Sequence, residues 1–403
     1  MPMQYLISSK FNALFSLLSY ELFRLPLQEE LTAADWSAVL EEGNRQAVTA
    51  LLYPGMKKLS GIPEEARSRV RRTALASAKS FEQRLHFQQE IIALLETHTI
   101  SCAVLKGTSV SCLYPDPGLR VSGDVDLLVD KEKLFAAGNL LEENGFIRIH
   151  EDERHFCFQK ENIEVEIHPS VTIFPNTPKG SFSYAYMQKA LQHTTTAQFN
   201  GINFPVLSGV YQLIALLAHM EHHLISSGIG LRQVCDWAAT VNSQRNAIGP
   251  DEIEIMEQCG LLFFAKLMTR LCEKYFGMEP LDWSADAPDD LVELLMQDVL
   301  EGGNFNSQYT LRPFYGILTD VYITEDRKKC TSLRSYVKYI RKRSLKDFPW
   351  AKNQIWVAVF CIYYPVRLIM KMLFKKRKKF NLIQAARSAQ NREKLFQQFN
   401  LYK

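Results

Sequence analysis

The chain has 403 residues, of which 47% are hydrophobic, so it can bury a substantial core and form two or three domains. Its eight cysteines are far apart and include no Cys-x-x-Cys pair, which disfavours a zinc ribbon or a redox motif and favours a reducing cytoplasm. The first 326 residues carry 26 basic and 42 acidic side chains, whereas the rest of the chain carries 21 basic and 2 acidic ones, so the end of the chain has a separate role.

The first part of the chain is predicted to be helical. Met1–Phe23 has no basic leader before an uninterrupted apolar stretch, so we predict no signal peptide. From Lys10 to about Thr97 the apolar residues recur every three or four positions, with prolines as breaks. We assign residues 1–99 to a helical N-terminal domain.

Short strands replace the helices near residue 100. The predicted strands are Ser101–Leu105, Val121–Val129, His155–Gln159 and Ile163–His168. A helix is predicted over Lys131–Asn144, and Gly145 follows it at the position of a C-cap. This order predicts an α+β unit with a small mixed sheet at residues 100–205.

Helical periodicity returns after Pro205 and continues to about Thr324. Breaks are predicted near Gly228–Gly230 and Gly249–Pro250. We assign residues 206–326 to a helical C-terminal domain.

Residues 327–403 form a basic, aromatic tail. Ile355–Val366 contains 12 residues without charge, which is fewer than the roughly 20 needed to cross a bilayer. Aromatic residues beside the basic run Lys375–Lys379 are typical of an interfacial helix, so 350–379 is a candidate for peripheral contact with the inner face of the membrane. Packing on the acidic body is an equal alternative, and nucleic acid is a less favoured partner.

Two aspartates share one face of the second predicted strand. Side chains alternate along a strand, so Asp124 and Asp126 point to one side while Val125 and Leu127 point to the other. Two carboxylates held this close favour a hard divalent cation.

The last predicted strand repeats this pattern with Glu164, Glu166 and His168 on one face. If the two strands are neighbours, Glu166 joins the aspartates in a two-metal site, where one ion activates the attacking hydroxyl and the other stabilises the leaving oxygens. Glu164 is the rival for the third acid. His168 is either a neighbour of the metal or substrate, or a polar residue that closes the strand.

Several motifs together resemble a known family. They are Val104-Leu-Lys-Gly-Thr, Leu113-Tyr-Pro, Arg120, Gly123-Asp-Val-Asp-Leu-Leu-Val, Asn144-Gly-Phe and Val165-Glu-Ile-His. They are similar to the uncharacterised bacterial nucleotidyltransferases of the DNA polymerase β-like superfamily. The resemblance implies a polymerase β-like core, a nucleoside triphosphate as substrate, Mg²⁺ or Mn²⁺ bound by Asp124 and Asp126, and Glu166 as the third catalytic and metal-binding acid.

A turn before the aspartates is a candidate phosphate site. The superfamily commonly has Gly-Ser at this place, whereas this chain has Lys106, Gly107, Thr108 and Ser109. Gly107 permits close approach of the backbone, and the N-terminus of the following helix favours an anion. We expect Lys106, Thr108 or Ser109 to contact phosphate, with Arg120 as a second candidate.

Polar residues of the C-terminal helices are candidate substrate contacts. His219 and His223 are four residues apart on one helix face, but the order His-Glu-x-x-His of a zinc protease is absent. We predict that they face the cleft or are solvated. Asp236 lies where the resembling proteins often have an aspartate, and it is either a substrate contact or part of a helix salt bridge.

These patterns predict a metal-dependent nucleotidyltransferase that moves a nucleotide to an unidentified protein, small molecule or sugar and releases pyrophosphate. One alternative is a catalytically weak nucleotide-binding or scaffolding module at the membrane surface, suggested by the altered phosphate turn. The other is an RNA-directed nucleotidyltransferase that uses the basic tail.

Overall fold

The computed structural model describes most of the chain. The described residues are 9–27, 31, 34–151, 155–226, 228–303, 337, 340–341, 344–345, 348, 350, 353–374, 391–392, 395 and 398. Within these residues the protein is a mixed α+β structure built around a seven-stranded sheet. The basic run Lys375–Lys379 lies outside the described residues.

The N-terminal part of the chain is helical, in agreement with its apolar periodicity. Its helices are α1 (Ser9–Phe23), α2 (Trp36–Arg45), α3 (Tyr53–Lys58) and α4 (Glu64–Thr97). Helix α4 follows Pro63 and carries Glu64 and Glu65 in its first turn, where negative side chains stabilise a helix N-terminus. Its buried face is mainly apolar but also contains Arg84 and Gln88, one turn apart.

A mixed sheet lies at the centre of the protein. Its strands are β1 (Cys102–Val104), β2 (Asp124–Val129), β3 (Ile147–Glu151), β4 (Phe156–Lys160), β5 (Ile163–His168), β6 (Thr194–Phe199) and β7 (Ile202–Leu207). Their order in the sheet is β3-β4-β5-β2-β1-β7-β6. Strand β2 runs parallel to β5 and β1 runs parallel to β7, while the other neighbouring pairs are antiparallel. Acidic strands β2 and β5 are therefore neighbours.

Three of these strands are missing from the predicted set. Strand β3 is a largely exposed edge strand, and its apolar alternation is limited to Ile147 and Ile149. Strands β6 and β7 form a hairpin across Asn200 and Gly201, whose φ angles of +48° and +81° suit the turn that Asn-Gly favours. Pro205 within β7 weakens the strand pattern.

Short helices connect the strands, and longer ones follow them. The connecting helices are α5 (Thr108–Ser111), α6 (Leu134–Glu143) and α7 (Pro178–Met187), and the following ones are α8 (Gly209–Ser226), α9 (Leu231–Ser243), α10 (Pro250–Gln258), α11 (Leu262–Phe276), α12 (Asp289–Gly302) and α13 (Gln354–Phe374). Within the part of the chain that the structure describes, no helix combines the length and apolar character needed for a membrane crossing.

Two hydrophobic clusters cover the two faces of the sheet. One contains Val125 and Leu127 together with apolar residues of α4 and α6. The other contains Leu128 and extends from Phe11 to Leu395, and it connects the N-terminal helices with α8 to α12. Because side chains alternate along β2, its aspartates lie on the Leu128 face, beside the helices of the second cluster.

Candidate metal and nucleotide site

Neighbouring strands bring the acidic residues together. In the parallel pair of β2 and β5, Asp126 lies opposite Glu166 and Asp124 lies opposite Glu164. His168 follows Glu166 by two residues, so it lies on the same face. The strand alternation and this register together place four carboxylates and one imidazole on a single face of the sheet.

His168 connects two of these acids. Its Nε2 atom lies 3.1 Å from Asp126 Oδ1 and 3.2 Å from Glu166 Oε2. Burial lowers the pKa of His168, but its hydrogen bonds to the two carboxylates outweigh burial and raise the pKa above its ordinary value. Ligand atoms of Asp126, Glu166 and His168 all lie within 4.8 Å of one another, so this set could hold a metal ion.

Lys106 lies between the two aspartates. Its Nζ atom is 2.9 Å from Asp126 Oδ1 and 3.5 Å from Asp124 Oδ2. Burial lowers the pKa of Lys106, but the charges of Asp126, Asp124 and Glu166 raise it above the ordinary value, so the ammonium group stays charged. The expected phosphate-binding lysine therefore pairs with the predicted metal ligands in this structure.

The two glutamates of β5 differ in their electrostatic environment. Burial raises the pKa of Glu166, but the hydrogen bond from His168 and the charge of Lys106 lower it to about 2. The Glu164 side chain is mostly exposed. The partial loss of solvent around its carboxylate, together with repulsion from Glu166, raises its pKa. Since a cation ligand must be ionised, Glu166 is better suited than Glu164 to bind a cation.

The turn at residues 106–109 differs from the expected phosphate site. Gly107 has a φ of +65°, a conformation that glycine adopts without strain. Thr108 and Ser109 are buried, and their hydroxyls donate to Gln88 Oε1 and to the carbonyl of Lys106. Helix α5 has only four residues, so its dipole is small. Both hydroxyls are therefore engaged within the protein in this structure.

Arg120 and Asp236 pair with each other. Arg120 Nη2 lies 2.7 Å from Asp236 Oδ2 and its Nε lies 2.9 Å from Oδ1, while the Tyr114 hydroxyl donates to Oδ1 at 2.8 Å. All three side chains are buried. Burial raises the pKa of Asp236, but Arg120 lowers it below its ordinary value, so the carboxylate remains ionised. The structure thus has Asp236 in a salt bridge, and Arg120 is bound to it rather than directed at a phosphate.

Two arginines that sequence patterns did not identify lie near Asp124. Burial and repulsion from Arg120 lower the pKa of Arg84 on α4 and of Arg232 on α9, and Asp124 attracts both. Arg84 is 8% exposed, and its Nε atom is buried without a hydrogen-bond partner among the described residues. Arg84 occupies a position of the apolar pattern of α4, and a charged residue at such a position is the sequence signal that could have identified it. Together with Lys106, these arginines form a cationic group beside the acids.

His219 and His223 face the charged site from α8. Their ring centroids are 4.4 Å apart. Burial and the charge of Lys106 lower the pKa of His219 well below its ordinary value, and burial, His222 and Lys106 lower the pKa of His223 to about 3. Both imidazoles are therefore neutral at pH 7. The potential metal-binding groups among the described residues do not include either histidine.

Converging acids beside a lysine, with arginines nearby, have the chemistry that nucleotide-transferring enzymes require. The chain belongs to a family described as uncharacterised nucleotidyltransferase, whose model matches residues 32–277. This match contains the acids of β2 and β5, the turn at 106–109 and Arg232, and it confirms the resemblance seen in the motifs. Comparisons with curated proteins and with solved structures gave no significant match.

Proposed function

We propose that the protein is a metal-dependent nucleotidyltransferase with a polymerase β-like core at residues 100–205, flanked by helical units at 1–99 and 206–326. One observation carries this proposal. Asp126 and Glu166 lie opposite each other on neighbouring parallel strands, on the same face as Asp124. This arrangement is suited to holding divalent cations beside a nucleotide.

Asp124, Asp126 and Glu166 would hold Mg²⁺ or Mn²⁺. These residues fit such an ion because they offer oxygen ligands, and because Asp126 Oδ2 is buried without a hydrogen-bond partner among the residues that the structure describes. His168 bonds to Asp126 and Glu166 and keeps the two carboxylates in position. When bound, the ions would lower the barrier by activating the acceptor hydroxyl and neutralising charge on the leaving pyrophosphate.

Cationic side chains would hold the triphosphate. Asp124 attracts both Arg84 and Arg232, so we place the triphosphate between the acids and these arginines. Guanidinium groups bind phosphate oxygens through paired hydrogen bonds, which are strong where water is excluded. Lys106 would exchange its contact with the aspartates for a phosphate oxygen when the nucleotide binds. The backbone at Gly107 carries no side chain and leaves room for this approach.

The reaction would join an acceptor oxygen to the α-phosphorus of the nucleoside triphosphate. The bond between the α-phosphorus and the bridging oxygen to the β-phosphate breaks, and pyrophosphate leaves. His219 and His223 are neutral at pH 7 and can exchange hydrogen bonds with the nucleoside or the acceptor without a charge penalty. The acceptor is a protein, a small molecule or a sugar.

The direct test is magnesium-dependent release of pyrophosphate. Purified protein is incubated with labelled nucleoside triphosphates, Mg²⁺ and cell lysate, and the labelled product is identified as protein, sugar, small molecule or RNA. Asp126→Asn should lower the rate by roughly 1000-fold because it removes a ligand from both proposed ions. Asp130→Asn is the matched control, since Asp130 is exposed at the end of the same strand and an amide can keep its hydrogen bond to the Glu132 N–H. Full activity in Asp126→Asn would overturn the proposal.

We also propose that α13 contacts an anionic membrane surface. Four exposed apolar residues follow one stripe of the helix, at 76%, 45%, 69% and 51% exposure respectively: Ile355, Val359, Ile362 and Val366. On another face of the helix, Val357 and Phe360 pack with Ile340 in a small separate cluster. The basic run Lys375–Lys379 follows the helix in sequence and complements the charge of anionic headgroups.

Sedimentation with lipid vesicles tests this surface. The full chain should bind vesicles that contain phosphatidylserine. Binding should be weaker to neutral vesicles, and weaker to the anionic vesicles at high salt. Ile362→Glu should lower the partition coefficient by about tenfold or more, because it places a charge on the apolar stripe. Leu75→Glu on α4 is the matched control, since Leu75 is 61% exposed and Ile362 is 69% exposed. Equal binding by both variants would contradict the membrane proposal.

A further inference from the structure

The polar face of the sheet continues beyond the acids onto β4. Cys157 lies opposite Glu166 in the antiparallel pair of β4 and β5, so the two side chains share a face. His155 precedes Cys157 by two residues, and its ring centroid lies 5.2 Å from that of His168. Along this face, the available ligands change from carboxylate oxygens on β2 to sulfur and nitrogen on and beside β4.

The distances between these groups match those of a zinc site. Cys157 Sγ and His155 Nε2 each lie 3.6 Å from Glu166 Oε1. Ligand atoms of all three residues lie within 4.8 Å of one another. Bonds of about 2.0–2.3 Å at tetrahedral angles separate two zinc ligands by roughly 3.3–3.7 Å. The two separations of 3.6 Å therefore fall within the range for ligands of one zinc ion.

We propose that His155, Cys157 and Glu166 form a second metal site, distinct from the proposed magnesium site and selective for Zn²⁺ or a similar borderline-soft divalent cation. Thiolate and imidazole favour such cations, whereas Mg²⁺ prefers oxygen ligands alone. His150 on β3 lies opposite Cys157, and its ring centroid is 6.1 Å from that of His155, so it lies beside this ligand group without belonging to it.

Glu166 is shared between the two metal sites. Its Oε1 atom faces Cys157 and His155, whereas its Oε2 atom lies 3.2 Å from His168 Nε2. One carboxylate can bridge two ions through its two oxygens, so an ion at the soft site withdraws charge from the acid cluster. Binding of Zn²⁺ therefore weakens binding of a hard cation by Asp126 and Glu166. This coupling goes beyond the proposed transferase reaction and can be measured without it.

Cobalt substitution tests the soft site directly. The reduced full chain is titrated with Co²⁺, which absorbs in the near ultraviolet when a thiolate binds it, and Zn²⁺ is then added as a competitor. We expect one equivalent of Co²⁺ to bind and to give a thiolate band. Zn²⁺ should displace the Co²⁺ and so remove the band. Cys157→Ser should abolish the band. Cys112→Ser should keep it, because Cys112 is half-buried and does not belong to the ligand group.

Two further variants make the result independent of folding and of transferase activity. His155→Asn should lower the affinity for Co²⁺ by about tenfold or more and shift the visible bands, because it removes a nitrogen ligand. This variant decides the question if Cys157→Ser fails to fold. Asp124→Asn should lose nucleotide transfer but keep the thiolate band, so failure of the transferase proposal is distinguishable from failure of the soft site. Absence of a thiolate band in the wild type, or its persistence in Cys157→Ser, would overturn the inference.

Discussion

Two buried charged groups of this protein differ in how completely their charges are paired. Arg120 and Asp236 form a pair with two hydrogen bonds, and the Tyr114 hydroxyl donates a third hydrogen bond to the same carboxylate. Around Lys106, by contrast, four carboxylates share a face with one lysine and one imidazole. The first group is balanced and holds the segment before β2 against α9. In the second group Asp126 Oδ2 has no hydrogen-bond partner among the described residues, so it offers an oxygen that a bound cation could use, which distinguishes a candidate functional site from a structural salt bridge.

The largest expected effect is a difference between Glu166 and Glu164 in the group around Lys106. Glu166→Gln should lower the rate of nucleotide transfer by roughly 1000-fold, because the proposed cation ligand loses its charge. Glu164→Gln is the matched control on the same face of β5 and should change the rate by less than about threefold, since Glu164 is exposed. Steady-state kinetics with Mg²⁺ measures both. Equal losses in the two variants would remove the distinction between these acids.

The balanced pair should control stability. Arg120→Met leaves Asp236 buried without its partner and should lower the free energy of unfolding by about 3–5 kcal/mol in urea titrations. Arg245→Met removes an ion pair whose partner, Glu279, is 80% exposed, and it should cost less than about 1 kcal/mol. The double variant Arg120→Met with Asp236→Leu should recover most of the loss. A double variant as unstable as Arg120→Met alone would show that the pair is not a balanced unit.

Arg84 tests whether the cationic group binds the triphosphate. Arg84→Met should raise the KM for the nucleoside triphosphate by about 10-fold to 100-fold, because it removes a charged hydrogen-bond donor from the phosphates. Arg72→Met, on the exposed side of the same helix, should leave KM unchanged. If Arg84→Met alters thermal stability and leaves KM at the wild-type value, Arg84 has a structural role only.

The smallest effect concerns an acid away from the site, Glu21 on α1. Burial raises its pKa to about 8, although Arg24 lies 3.0 Å from Glu21 Oε2 and opposes the shift. Between pH 4.5 and about 8 the folded protein holds this proton while the unfolded chain releases it, so stability falls as pH rises through that window. Glu21→Gln should remove this slope and make the variant more stable than the wild type at pH 8.5. An unchanged slope in unfolding titrations at pH 5, 7 and 8.5 would contradict this assignment.

The fold was predictable from sequence wherever a local pattern determines it. Alternation along β2 and β5 predicts which residues share a face, and the register confirms that the two strands are neighbours. The hairpin of β6 and β7 also has a local signal, because Asn200 and Gly201 are a favoured turn pair. Strand β3 has a weaker signal, since its apolar alternation stops after Ile147 and Ile149.

The parts of the site that were not predictable depend on contacts between distant segments. Arg84 and Arg232 come from two helices that are separated by the whole sheet in sequence, and no spacing rule places them beside Asp124. The pairing of Arg120 with Asp236 joins residues 116 positions apart, so no local pattern identifies Arg120 as the partner of Asp236. Burial of Thr108 likewise depends on Gln88 of α4, which packs over the turn.

The central claim is that the acids around Lys106 bind divalent cations. Electron paramagnetic resonance of Mn²⁺ measures this most directly, by counting bound ions with and without a non-hydrolysable nucleoside triphosphate. We predict that the wild-type chain binds Mn²⁺ and that the nucleotide increases the affinity, whereas Asp126→Asn loses most of this binding while keeping its fold. Mn²⁺ binding of equal strength in Asp126→Asn and in the wild type would contradict the claim.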